Sequence, residues 1–184
     1  MSKPLDLLPN IVLEGLDRSG KSTIATLLSQ SGYQSFHCAY NPGYKDMYQH
    51  YVELIEQVQA PVVFDRSFIS EEVFGPIWRG RSRLSPIQFH NLLSLLGKRD
   101  FVVLYIREKP EIVRQRILET RNEILHQKTL DHFHELIERF DTVMKEVGTF
   151  LPTFTVCPSQ YKKESLVESI LQIIKQDDAK SGEI

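Results

Sequence analysis

Cysteine is scarce in this chain. Cys38 and Cys157 are the only two in 184 residues, far apart, outside any C-x-x-C spacing and without histidine partners at zinc-ligand distance. A disulfide-stapled scaffold and a zinc knuckle are thereby excluded, and the two thiols read as small buried hydrophobes in a reducing interior. An excess of one charge is lacking as well. With 22 basic side chains against 24 acidic ones, there is no global pull toward nucleic acid or an anionic membrane, and any such contact has to be a local patch. No stretch approaches the ~18 apolar residues of a membrane span, and Met1 to Asn10 holds two prolines but no charge-led apolar segment of a leader. A cytoplasmic, intracellular protein with no membrane partner is the expectation. Internal repeats and low-complexity linkers are missing too, and 184 residues fall within the ~100–200 of one domain.

What the chain does have is glycine in a particular place. Residues 15–22 read Gly15-Leu16-Asp17-Arg18-Ser19-Gly20-Lys21-Ser22, the full G-x-x-x-x-G-K-[ST] phosphate-binding pattern. An apolar run, Ile11-Val12-Leu13, enters it as a buried strand does, and Ile24, Leu27 and Leu28 leave it at helical spacing. Strand, glycine loop and helix are the context the chemistry needs. Gly15 and Gly20 let backbone N–H groups curl around phosphate oxygens while the helix N-terminus adds partial positive charge. Lys21 reaches the β/γ-phosphates, and the Ser22 hydroxyl is placed to ligate Mg²⁺. The plainer alternative is a glycine turn before a helix, which the consistent flanks disfavour. One domain then has to bind both a nucleotide and an acceptor.

Strand-like and helix-like segments alternate along the chain, the pattern of a parallel α/β sheet. Strands are predicted at about 10–14, 34–39, 61–64, 101–106 and 153–157. Helices are predicted at 21–31 closed by Gly32, at 44–59 closed by Pro61, and at 86–96, where Ser85 caps, Pro86 takes the first position and Gly97 ends the run. Pro110 opens another, a longer one spans about 129–147 up to Gly148, and the last runs from about 163 to 176 before a polar tail, 177–184, that is expected to fray.

The second landmark is Val62-Val63-Phe64-Asp65-Arg66-Ser67. An apolar run ending in an acid delivers a carboxylate to the carboxyl end of a buried parallel strand, beside the phosphate loop. Asp65 is placed either to hold Mg²⁺ through water or to accept a proton from the attacking oxygen, and Arg66 to clamp a phosphate. A strand-end aspartate capping the following helix is the structural alternative.

The string Glu14-Gly15-Leu16-Asp17-Arg18-Ser19-Gly20-Lys21-Ser22-Thr23 together with Asp65-Arg66 resembles the thymidylate kinase and deoxynucleoside (mono)phosphate kinase group of P-loop kinases. The resemblance implies an α/β, three-layer P-loop NTPase fold: a five-stranded parallel sheet of order 2-3-1-4-5, helices on both faces and a short lid at about 114–128. It implies ATP and Mg²⁺ as cofactors, with residues 15 and 17–23 around the nucleotide and Ser22 and Asp65 at the metal. It places Asp17 near the acceptor's sugar, Arg18 on the γ-phosphate and Arg66 on the acceptor-side phosphate. A homodimer is one assembly it allows.

Arg114, Arg116 and Arg121 follow the fourth strand, where lid kinases carry arginines that neutralise charge developing during transfer, and Arg116 and Arg121 are the candidates. Glu111, Glu119 and Glu123 interleave with them, so a solvated helix face is the other reading. Arg107, directly after the strand, is a further contributor. The segment between Ser22 and Asp65 is only 42 residues long and contains no arginine, where thymidylate kinases carry an arginine and a stacking phenylalanine. It offers Tyr40, Tyr44, Tyr48 and Tyr51 instead, which read either as a packed helix face or as a platform for a base. After Asp65-Arg66, Phe68, Glu71, Trp78 and Arg79 form the acceptor-side candidates. Arg79, Arg81 and Arg83 stand between phosphate partners and a solvated loop. His126, His132 and His134 do not make a metal set, because no acidic or cysteine partner completes one. The chemistry expected is transfer of the γ-phosphate of Mg·ATP to a deoxynucleotide-type acceptor, most simply dTMP or another dNMP. A hydroxymethylated pyrimidine within DNA is the alternative acceptor, and a nucleotide-dependent switch without productive transfer is the alternative from another class.

Overall fold

The computed structural model describes residues 8–38, 43, 45–59, 61–120 and 123–181, and the side chains of these apart from 123–126 and 177–181. The elements follow in the order β1 (Asn10–Glu14), α1 (Lys21–Gln30), β2 (Gln34–His37), α2 (Met47–Glu56), β3 (Val62–Asp65), α3 (Ile69–Arg79), α4 (Pro86–Lys98), β4 (Phe101–Ile106), α5 (Pro110–Leu118), α6 (Glu123–Asp131), α7 (Phe133–Val147), β5 (Thr153–Val156), two short 3₁₀ turns and α8 (Leu166–Ser181). All strand pairs are parallel and the order is β2-β3-β1-β4-β5, as expected. The three central strands are apolar runs without alternation and are buried on both faces. The edge strands β2 and β5 are partly exposed.

Alternate residues along the strands divide the core in two. Ile11, Leu13, Val63, Val102 and Leu104 pack with Ile24 and Leu28 of α1 and Ile170 and Ile174 of α8. Val12, Phe64, Phe101, Val103 and Tyr105 face the other way, onto α2, α3, α4 and the apolar stripe of α7. This is the three-layer arrangement a doubly covered parallel sheet requires.

Several expectations need correction. Residues 69–79 form α3, a helix the sequence did not suggest because Pro76 sits inside it. A proline there has no N–H to offer the carbonyl four residues back. The orphaned Glu72 carbonyl accepts instead from Arg139 Nε of α7 at 2.7 Å, so the helix continues past the break. Gly97 does not end α4: the helix runs on to Lys98 with Arg99 as its cap, and a side chain at 97 would meet Leu151 Cδ2 at 3.2 Å. Its role is close helix packing. The single helix expected over 129–147 is two, because His132 leaves helical geometry at φ −109°, ψ 20°. The backbone of α8 stays helical to Ser181, so fraying does not begin at 177. The Ser85 cap came out as expected, with a reciprocal Ser85–Gln88 capping box.

Candidate active site

Everything chemical gathers at the carboxyl edge of the sheet. Between β1 and α1 the chain turns through positive φ at Gly15 (142°), Arg18 (64°) and Gly20 (109°). Gly15 is required by contact as well as by torsion, since a Cβ there would lie 2.4 Å from the Ile106 carbonyl oxygen of β4. Gly20 caps α1 without a side chain, so first-turn N–H groups face the loop mouth, where they and the helix dipole favour an anion. Lys21 lies folded over the loop, buried, its Nζ donating to the carbonyls of Gly15 (2.8 Å) and Leu16 (2.7 Å). Burial pulls the ammonium down to about 8, against the opposing pull of the Glu14 and Asp65 carboxylates.

Register brings the second landmark alongside. Leu13 of β1 pairs with Asp65 of β3, and His37 of β2 pairs with Asp65 from the other side. Ser22 Oγ donates to Asp65 Oδ2 at 2.8 Å and His37 Nδ1 lies 3.3 Å from the same oxygen, whereas the buried Oδ1 has no hydrogen-bond partner. A hydroxyl joined to a carboxylate that keeps one buried oxygen uncommitted suits a hard divalent cation such as Mg²⁺. The residues present therefore fit the metal.

Arg66, at φ 75°, holds a backbone conformation that non-glycine residues seldom adopt. Its N–H donates to the Leu13 carbonyl at 3.0 Å, its guanidinium pairs with Asp17, and the guanidinium carbon lies 5.6 Å from the centre of the Phe74 ring. Glu14 is fully buried behind this turn and accepts from the Ser67 N–H and hydroxyl, both at 2.8 Å, and from the Ser70 hydroxyl at 2.6 Å. Burial raises its pKa, opposed by those serines and the nearby Arg66 and Lys21 charges. Glu14 thus ties the end of β1 to the start of α3.

Two cavities meet here. One, of about 700 Å³, is lined by the phosphate loop, Asp65, Arg116 and Pro158. The other, of about 320 Å³, is lined by Tyr51, Ser70, Glu71, Phe74, Trp78 and Arg79 among others. Asp17 and Arg66 line both. Within the second, Phe74 and Trp78 stack at 4.5 Å. Glu71 is buried, pairs with Arg79 and accepts from the Arg83 N–H at 2.8 Å. Buried Trp78 Nε1 has no hydrogen-bond partner.

The expected site residues divide clearly. Arg116 reaches the loop, donating to the Arg18 carbonyl at 3.1 Å. The side chain of Arg18 is exposed at the rim of the large cavity. Ser19 is buried, and Ser22 and Thr23 open into that cavity. Arg107 is engaged elsewhere, bonded to Asp141 at 2.9 and 3.1 Å. Arg114 is exposed and lines neither cavity. Phe68, expected at the acceptor, is instead a core residue: it is 0% exposed between Tyr51 and Phe89. Phe74, inside α3, lines the second cavity in its place. Tyr44 and Arg121 lie outside the described residues. Among the described residues no group of three metal-ligating side chains forms, the His126 side chain lying outside them, and no helix there is long and apolar enough to cross a membrane.

Sequence reasoning missed Glu14, Phe74 and Glu108. The signal for Glu14 was the one used for Asp65, an acid closing an apolar strand. Glu108 gave no signal. It is buried after β4, accepting from the Ser159 hydroxyl at 2.6 Å and its N–H at 3.1 Å, and so fixes Pro158 at the cavity wall.

No protein-family model matches the chain, and no curated protein matches it. Solved structures do. The YorR protein of Bacillus subtilis in complex with phosphorylated GDP is 22% identical, with TM-score 0.74 over 92% of this chain and 97% of that one. Deoxyadenosine kinase from M. mycoides is 17% identical, with TM-score 0.59 over 91% and 98%. Thymidylate kinase from Candida albicans is 18% identical, with TM-score 0.57 over 93% and 92%. The chain has the fold of the P-loop kinases.

Proposed function

We propose that this protein is a Mg·ATP-dependent phosphotransferase acting on a nucleotide or nucleoside, with a deoxynucleotide-type acceptor, most simply dTMP or another dNMP. The observation that carries the proposal is the meeting of two cavities at Asp17 and Arg66. One has a phosphate loop with a cationic lysine, the other an aromatic stack and a buried carboxylate paired with a more exposed guanidinium, so donor and acceptor share a wall where transfer can be in line.

Roles follow from position. The loop amides, Lys21, Arg18 and Arg116 surround the donor phosphates, Arg116 reaching the loop through its bond to the Arg18 carbonyl. Ser22 and Asp65 would hold Mg²⁺, which would supply positive charge to offset that of the phosphates during transfer. Arg66 faces both cavities and is positioned to hold the phosphate that passes between them. Asp17, its partner, turns a carboxylate toward the acceptor and would take a hydrogen bond from its hydroxyl. Phe74 and Trp78 give a base a π-surface.

The test is label transfer from γ-labelled ATP with Mg²⁺ to deoxynucleosides, deoxynucleoside monophosphates and DNA oligomers with ordinary or hydroxymethylated pyrimidines. Label in any of these supports the phosphotransferase. Label in monophosphates establishes the dNMP kinase, and label in DNA alone establishes the polymer acceptor. Label recovered only as free phosphate, with nucleotide-stimulated binding, means a switch and overturns the proposal.

A further inference from the structure

A third cavity adjoins the acceptor site, and its chemistry is different. It measures about 360 Å³ and lies between the start of α2 and the turn from α3 to α4. Lys45, Arg81 and Arg83 bring three cations to it against one acid, Asp46. That acid is committed, because its Oδ1 accepts the Gln49 N–H at 3.0 Å and caps α2. The N-terminal end of α2, ten residues long, adds partial positive charge to the same place.

Position connects this cleft to the reaction. Met47 lines both the cleft and the acceptor cavity, just as Asp17 and Arg66 line both the acceptor and donor cavities. The three spaces form a row: donor phosphates, acceptor, basic cleft. The Arg83 N–H, bonded to Glu71 Oε1, anchors the cleft's wall to a side chain of the acceptor cavity. Met47 is thus a wall that the basic cleft shares with the acceptor cavity.

We propose that the cleft is a phosphate subsite, and that the acceptor carries a phosphate remote from its reacting oxygen. This inference rests on the proposed phosphotransferase. A 3′-phosphate on a mononucleotide and a phosphodiester of a polynucleotide present the same chemistry here, an anionic phosphate on the far side of a seated nucleoside. The near-neutral charge of the whole chain is consistent with it, since attraction is needed only at this patch.

The exposed pair is the place to test it, with the variant Lys45→Ala/Arg81→Ala; neither residue belongs to the catalytic set and both are exposed. The acceptors are a deoxynucleoside, its 5′-monophosphate, its 3′-monophosphate and 3′,5′-bisphosphate, and short DNA oligomers containing it. On acceptors with the remote phosphate, kcat/KM should fall roughly tenfold or more, and the salt dependence of oligomer binding should flatten by about two in log–log slope. On the plain deoxynucleoside and its 5′-monophosphate, neither of which carries the remote phosphate, kcat/KM should not change. A drop on the 3′-monophosphate or the 3′,5′-bisphosphate identifies a single remote phosphate as sufficient, and a drop on oligomers alone identifies the phosphodiester chain. Equal effects on all acceptors, or on none, overturn the inference. Should no acceptor take label, the phosphotransferase proposal fails separately, and the cleft is still judged by anisotropy of a fluorescent oligomer and by calorimetry with the 3′-monophosphate. Weaker binding of either by the variant supports the subsite, and equal binding of both refutes it.

Discussion

Arg139→Met tests whether the acceptor cavity depends on a repair made from another helix. Pro76 leaves the Glu72 carbonyl of α3 without its intrahelical donor, and Arg139 Nε takes the position at 2.7 Å. Methionine keeps much of the arginine's stem and removes the donor, leaving a half-buried carbonyl unpaired at a cost of about 1–3 kcal/mol. For a chain of this size 1 kcal/mol moves Tm by roughly 2–4 °C, so a fall of about 2–12 °C is expected in calorimetry. Phe74, Trp78 and Arg79 ride on the same helix, so the KM for the acceptor should rise more than the KM for ATP. The decisive control is Pro76→Ala, which returns an N–H to the helix. In that background Arg139→Met should cost at least about 1 kcal/mol less than in the native chain. An equal loss in both backgrounds would show that Arg139 stabilises by some other contact and would refute the reasoning.

Lys21→Ala should abolish transfer with Tm retained, and unchanged turnover would sink the phosphate-loop assignment. Because burial pulls Lys21 down to about 8 and only its protonated form attracts phosphate, kcat/KM for ATP should fall as pH rises through about 8. The fall in kcat should come at higher pH, since bound phosphate favours the cation; a flat kcat/KM profile to pH 9 contradicts this. Asp65→Asn keeps the Ser22 partner but loses the charge, so the single-turnover rate should drop by far more than ATP affinity, and a pure affinity loss would leave Asp65 a positioning role only. Phe68→Ala should cost about 3–5 kcal/mol of stability without a selective effect on acceptor KM. Phe74→Leu should raise acceptor KM at a smaller stability cost, and the reverse pattern would restore Phe68 to the site.

Features that depend on neighbours along the chain could be read from residue order. A glycine loop between an apolar run and a helix is a local event, and so are the Ser85 box, the strand-end Asp65 and the alternation that dictates a parallel sheet. These features were legible because each rests on short-range torsions, caps and periodicity. The edge strands and the helix boundaries were less legible, since their ends are settled by what they pack against. Tertiary structure alone decided the rest. It placed Asp65 within 2.8 Å of a hydroxyl 43 residues away, and it buried Phe68 while turning Phe74 into the cavity, because α3 has one face on the sheet and another on the site. It also kept α3 intact through a proline, since the donor that replaces the lost N–H comes from Arg139, 67 residues beyond the Glu72 carbonyl it serves. No local pattern announces such a substitution. The missing hydrogen bond is written in the sequence at Pro76, and its replacement exists only once α7 lies against α3.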